Sequence, residues 1–149
     1  MAKRLIAVAS AGGHWEQLML VKEAFAESET RFITTRKGLV EKAGIINYLI
    51  VRDCNRNTPI TSIVTSFKIL IDVIKFKPDI VISTGALPGA IALTAGKLVG
   101  AKTAWIDSVA NAERLSRSGT YTKKIADLWL CQWQHLAEQN GVQFEGRLL

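Results

Sequence analysis

The sequence predicts an α/β domain, a parallel sheet joined by right-handed crossovers with helices on both faces. Three observations point there. Six short apolar runs alternate with segments whose apolar residues recur at helical spacing. Glycine-bearing turns stand at the exits of the first and fourth of those runs. The chain has 149 residues, 48% of them hydrophobic, which suits one domain over 1–149 with a core of its own.

The elements follow in order. "KRLIAVA" (3–9) reads as a buried strand. "HWEQLMLVKEAFAE" (14–27) reads as a helix, with Trp15, Leu18, Val21 or Lys22, and Phe25 at helical spacing. "TRFITT" (30–35) is the second strand, 38–44 a short helix, and "NYLIV" (47–51) the third strand. "RDCNRNTP" (52–59) is polar and ends in proline, so it reads as a loop. "ITSIVTSFKILIDVIKFK" (60–77) reads as a helix despite its β-branched residues, from its length and from Pro59 at its start. "DIVIS" (79–83) is a strand, "TGALPG" a turn, and "GAIALTAGKLVG" (89–100) a small-residue helix closed by Gly100. "KTAWID" (102–107) and "LWLC" (128–131) complete the strands, and "QHLAEQNG" adds a last helix.

A net charge of +6 and a pI near 9.6 favour anionic partners. The basic residues are dispersed, with no zinc-finger spacing, RNA-recognition signature or basic arm, so nucleic acid is not expected. Cys54 and Cys131 lie in no metal-ligand spacing and read as reduced structural thiols; no metal or cofactor is expected. The first apolar run is too short for a signal-peptide core, and none reaches the length of a membrane span. A cytoplasmic location follows as the expectation.

Ligands of such sheets bind at the carboxyl ends of the strands, where the loops 10–15, 84–89 and 107–119 fall. "SAGGHWEQ" brings Gly12 and Gly13 to a helix N-terminus, an arrangement that favours an anion. It is neither a G-x-G-x-x-G dinucleotide fingerprint, since "TTRK" replaces the acidic residue expected after the second strand, nor a G-x-x-x-x-G-K-[ST] phosphate loop. An imidazole at a helix start suits a neutral base, and His14 fits either that role or a helix cap. Trp15 fits core or rim better than ligand stacking. Gly85 marks a second glycine turn at a strand exit. In "WIDSVANAERLSRSG", Asp107 closes a strand and Glu113, Arg114, Ser116, Arg117 and Ser118 follow. That set fits a polyol or diphosphate ligand, or a solvated loop with a helix cap. The segment 60–77 carries Ile60, Ile63, Val64, Phe67, Leu70, Ile71 and Ile74 along one broad face, edged by Lys68, Lys75 and Lys77. It fits a core-packed crossover helix or a membrane-surface helix.

Taken together, "SAGGHWEQL", "PDIVISTGALPGAIALTAGKLVGAKTAWIDS" and "ERLSRSGTYTKKIADLWLCQWQHLAE" resemble the small subunit of the split glycosyltransferases. Eukaryotes use that subunit to help add the second N-acetylglucosamine to dolichyl-diphosphate-N-acetylglucosamine, and bacteria have similar proteins in capsule and exopolysaccharide clusters. A weaker resemblance extends to the N-terminal half of the transferase that makes lipid II. The resemblance implies a Rossmann-like domain equivalent to the N-terminal, acceptor-side half of a GT-B glycosyltransferase. It implies a separate subunit that binds the UDP-sugar, a polyprenyl-diphosphate-sugar acceptor, and a peripheral place on the inner face of the cell membrane. It implies His14 as general base and Asp107 as an acidic catalytic or sugar-binding group. Gly12, Gly13, Gly85, Glu113, Arg114 and Ser116 would contact the acceptor. An arginine usual in the family four residues after the acid is Asn111 here, so Arg114 or Arg117 would take over any phosphate contact. Two other readings remain at this stage, a non-catalytic membrane recruiter of the partner and a free-standing nucleotide- or sugar-phosphate-binding domain.

Overall fold

The computed structural model describes residues 1–55 and 57–149. Seven parallel strands form one sheet in the order β3-β2-β1-β4-β5-β6-β7. The strands are β1 (Arg4–Val8), β2 (Glu29–Thr34), β3 (Tyr48–Ile50), β4 (Ile80–Ser83), β5 (Lys102–Ile106), β6 (Leu128–Cys131) and β7 (Gln143–Phe144). Between them run α1 (Gly13–Leu20), α2 (Lys37–Lys42), α3 (Pro59–Phe76), α4 (Ala86–Leu98), α5 (Arg117–Thr122) and α6 (Gln134–Asn140). The strand order reverses direction between β1 and β4, and such a switch point opens a crevice at the carboxyl edge. The architecture is that of a Rossmann-like, doubly wound domain.

Alternation along β1 divides the core in two. Leu5, Ala7 and Ala9 pack with Trp15, Leu18, Phe32 and Val40 under α1 and α2. Ile6 and Val8 point the other way, into a larger cluster with Ile69 and Val73 of α3, Leu93 of α4, Trp105, Trp129 and Leu136. Trp15 is a core residue, edge-on to Phe32 at 6.1 Å. The α1 face is covered unevenly. Further along the sheet, Ala104 and Leu130 are half-buried and Leu128 is exposed.

Two local details differ from the sequence reading. The first helix stops at Leu20, and a 3-10 turn over Lys22–Phe25 follows, which drops Phe25 onto Phe32 at 6.2 Å. The helix expected from residue 89 begins at Ala86, because Pro88 stands in the first turn, where its missing N–H costs nothing. In the polar segment after Asp107, where a helix cap at Ser116 or Ser118 is one of the two sequence readings, α5 begins with Ser116 as N-cap, accepting the amide of Gly119 at 2.8 Å. In α3, Thr65, Ile69, Val73 and Phe76 face the core, while Ile60, Ile63, Val64, Phe67, Ile71 and Ile74 are exposed. Among the described residues no helix is long and apolar enough to cross a membrane.

Candidate functional site

The carboxyl edge is built from two glycine turns that meet. After β1 the chain turns at Gly12, whose φ of 86° is open to glycine and costly for other residues. Helix α1 then starts with no side-chain cap, and Glu16 makes the first helical bond, to the Gly12 carbonyl at 3.1 Å. The amides of Gly13, His14 and Trp15 precede it and have no intrahelical carbonyl. After β4, Gly85 takes φ 140° and donates its amide to the Ser83 hydroxyl at 3.1 Å. Ala86 follows at φ 69°, a conformation that strains any residue with a Cβ. Helix α4 also starts without a side-chain cap.

His14 locks the two turns together. Its Nδ1 lies 3.0 Å from the Thr84 carbonyl, and the Thr84 hydroxyl donates to the His14 carbonyl at 2.6 Å. A carbonyl only accepts, so in the neutral ring Nδ1 carries the proton and Nε2 keeps its lone pair. The ring packs directly against Gly85, where a Cβ would fall 2.3 Å from Nδ1.

Beside α4 the edge opens into a cavity of about 560 Å³ whose walls include Ser10, Asn55, Ala86, Leu87 and Arg117. Asp53 is also in its wall, with one carboxylate oxygen accepting the Cys54 amide at 3.0 Å. Burial pushes the thiols of Cys54 and Cys131 above their ordinary values, and both are free and buried. Among the described residues no group of three His, Cys, Asp or Glu side chains could hold a metal ion.

Asp107, expected as the last residue of its strand, stands just after β5 and is only 2% exposed. Its Oδ1 accepts from Trp105 Nε1 at 3.0 Å and from the Ser116 hydroxyl at 2.6 Å. Its Oδ2 accepts from the Ser116 amide at 3.1 Å and from Asn111 at 3.3 Å. The carboxylate thus pins the N-terminus of α5, and Gly119 packs so close that a Cβ there would lie 2.5 Å from Oδ1. Glu113 and Arg114 are exposed, and among the described residues neither makes a hydrogen bond or ion pair.

Two buried amides were not singled out from the sequence. Gln17, one turn after His14 on the core side of α1, donates to the Gly13 carbonyl at 3.1 Å and to Ser108 at 3.0 Å. Its Oε1 accepts from the Val109 amide at 3.1 Å and from Gln132 at 2.5 Å. Gln132 also donates to the Asp107 carbonyl at 2.9 Å. The structure therefore joins Gly12, Gly13, His14 and Gly85 at one place, and joins Asp107 to Ser116 at another. The buried glutamines tie the two together. The available signal was the polar Gln17 between Trp15 and Leu18, both of which face the core.

No protein-family model matches the chain, and no curated protein matches it by sequence. Solved structures do match. MurG from Acinetobacter baumannii is similar over 87% of this chain and 41% of its own, at TM-score 0.73 and 14% identity. A UDP-N-acetylglucosamine 2-epimerase from Rickettsia bellii is similar over 99% and 46%, at TM-score 0.76 and 14% identity. A glycosyltransferase from Rickettsia africae is similar over 98% and 43%, at TM-score 0.70 and 17% identity. The chain spans less than half the length of each. At these identities the likeness is one of fold, that of the N-terminal half of GT-B type proteins.

Proposed function

We propose that this chain is the acceptor-side subunit of a two-component glycosyltransferase, which moves a sugar from a UDP-sugar to a polyprenyl-diphosphate-linked sugar in polysaccharide biosynthesis. The observation that carries this reading is His14, held by Thr84 so that Nε2 is the free basic atom, at an edge where two uncapped helices begin. In the reaction the acceptor hydroxyl oxygen attacks the anomeric carbon of the donor, and the bond from that carbon to UDP breaks. UDP leaves with the electron pair, and the hydroxyl proton passes to Nε2 of His14. The uncapped amides that open α1 after Gly12 and α4 after Gly85 face the acceptor's diphosphate, with Arg117 on the cavity wall as the nearby cation.

Asp107 acts in this scheme as a positioning residue, because both of its oxygens are already engaged by protein donors. Ser116 holds it, while the exposed Glu113 and Arg114 are available to the acceptor sugar or to the partner. A separate polypeptide supplies the UDP-sugar site. Supporting this is the strip of sheet around Leu128 that lacks full cover, a surface open to another polypeptide. The exposed apolar face of α3, edged by Lys68 and Lys75, rests on the inner face of the cell membrane.

The test is transfer of label from a radiolabelled UDP-sugar to the lipid extract of host membranes, using the tagged chain with and without the donor-binding polypeptide that co-purifies. The pair transfers label, the isolated chain transfers none, and His14→Ala in an intact complex loses turnover. Transfer by the isolated chain overturns the two-component reading. Unchanged turnover in an intact His14→Ala complex leaves only a membrane recruiter.

A further inference from the structure

Between α3, α4 and α5 lies an apolar groove of about 460 Å³. Leu70 and Leu98 stand on its sides, and Ala90, Ile91 and Ala95 line it from α4. Its three hydroxyls are all engaged: Thr94 and Tyr121 stand 3.2 Å apart, Thr94 also donates to the Ala90 carbonyl at 2.8 Å, and Ser66 donates to the Ser62 carbonyl at 2.7 Å. Leu87, Ala90 and Tyr121 line both this groove and the cavity at the start of α4. The two are therefore one continuous depression with unlike ends. One end offers Ser10, Asn55, Arg117 and the uncapped amides of α4, against one carboxylate among the described residues, that of Asp53. Among the described residues the other end offers hydrocarbon and hydroxyls that are already engaged.

A depression of this kind recognises a molecule with an anionic head and a thin apolar tail directly joined to it. We propose that the groove binds the first isoprene units of a lipid diphosphate whose phosphates occupy the polar end. The inference rests on the acceptor reading above and extends it from the head to the tail. It also gives the tail an exit. Ser66 and Leu70 line the groove, and Phe67 and Ile71 beside them are exposed on the outer face of α3. A chain leaving the groove therefore passes directly onto the surface assigned to the bilayer.

The experiment measures binding of farnesyl diphosphate, inorganic pyrophosphate and farnesol to the full chain by calorimetry, with the lipids below their micelle concentrations. Farnesyl diphosphate binds about tenfold or more tightly than pyrophosphate, and farnesol alone binds weakly. Thr94→Trp fills the groove and returns farnesyl diphosphate to the pyrophosphate level, leaving pyrophosphate unchanged. Leu98→Asp places a charge at the far end on a residue that is 75% exposed, and so keeps the test valid if the tryptophan variant does not fold. It lowers the tail's gain about threefold or more, by lost apolar contact. If pyrophosphate binds but the tail adds nothing, or adds as much in both variants, the groove is not the tail site and the acceptor reading stands. Farnesol binding as tightly as farnesyl diphosphate also overturns the inference. If neither diphosphate binds, the acceptor reading falls and this inference with it.

Discussion

The imidazole of His14 and the backbone of Gly85 are packed so closely that a single methyl group at residue 85 would sit 2.3 Å from Nδ1. Gly85 also holds φ 140°, which a side chain disfavours. Gly85→Ala therefore displaces the ring from Thr84 on two counts. The expected result is a loss of turnover of about a hundredfold in the reconstituted pair, the scale set by an ångström of misplacement. Full activity in a folded Gly85→Ala variant would contradict the assignment of His14 as base.

Asp107 separates structural from chemical loss. Asp107→Ala strands the donors of Trp105, Ser116 and Asn111 and costs about 2–3 kcal/mol in urea unfolding. Asp107→Asn keeps the shape and one acceptor, so it costs less. As a positioning residue it keeps turnover within about tenfold in the asparagine variant, whereas a proton-transferring carboxylate would lose far more.

Gln17→Leu removes the acceptor of Val109 and Gln132 in a buried site. A loss of about 2 kcal/mol is expected, from polar groups left unpaired. Amide hydrogen exchange gives the specific readout. The Val109 amide loses more protection in the variant than the amides of β2, whose protection falls only with global stability.

Asp127 predicts a pH dependence. The Lys97 ammonium first, at 2.7 Å, and then the Thr103 amide hold its carboxyl at about 2, below its ordinary 3.8. A depressed carboxyl stabilises the fold above its ordinary value and loses that contribution as pH falls toward the folded one. Asp127→Asn is therefore less stable than the native chain at pH 7, and the gap closes between about pH 4 and 2. Urea midpoints measured across that window check it. A gap constant with pH would assign the stabilisation to shape alone.

Ile63 and Phe67 are 58% and 62% exposed on α3. Ile63→Ser with Phe67→Ser is expected to abolish flotation with vesicles containing anionic lipid while leaving the melting temperature unchanged or raised. Retained flotation would move membrane contact elsewhere.

What the sequence determined by itself was everything that repeats over short distances. Strand after strand was legible because buried runs and helical spacing are local patterns, and the two glycine turns stood out because Gly12 and Gly85 mark strand exits. The long crossover helix was read to within a residue at each end, at Pro59 and Phe76. The start of α5 was legible as one of two readings, through a capping serine at 116 or 118, but β7 was not, since two residues carry too little periodicity. The tertiary structure decided the rest. Thr84 reaches His14 across 70 residues, and Gln132 reaches Gln17 across 115. The same long-range packing buries Asp107 while leaving Glu113 and Arg114 in solvent, although all three share one polar segment. Spacing orders neighbours along one element, but which atom of a side chain is left free depends on partners that the sheet brings together from distant parts of the chain.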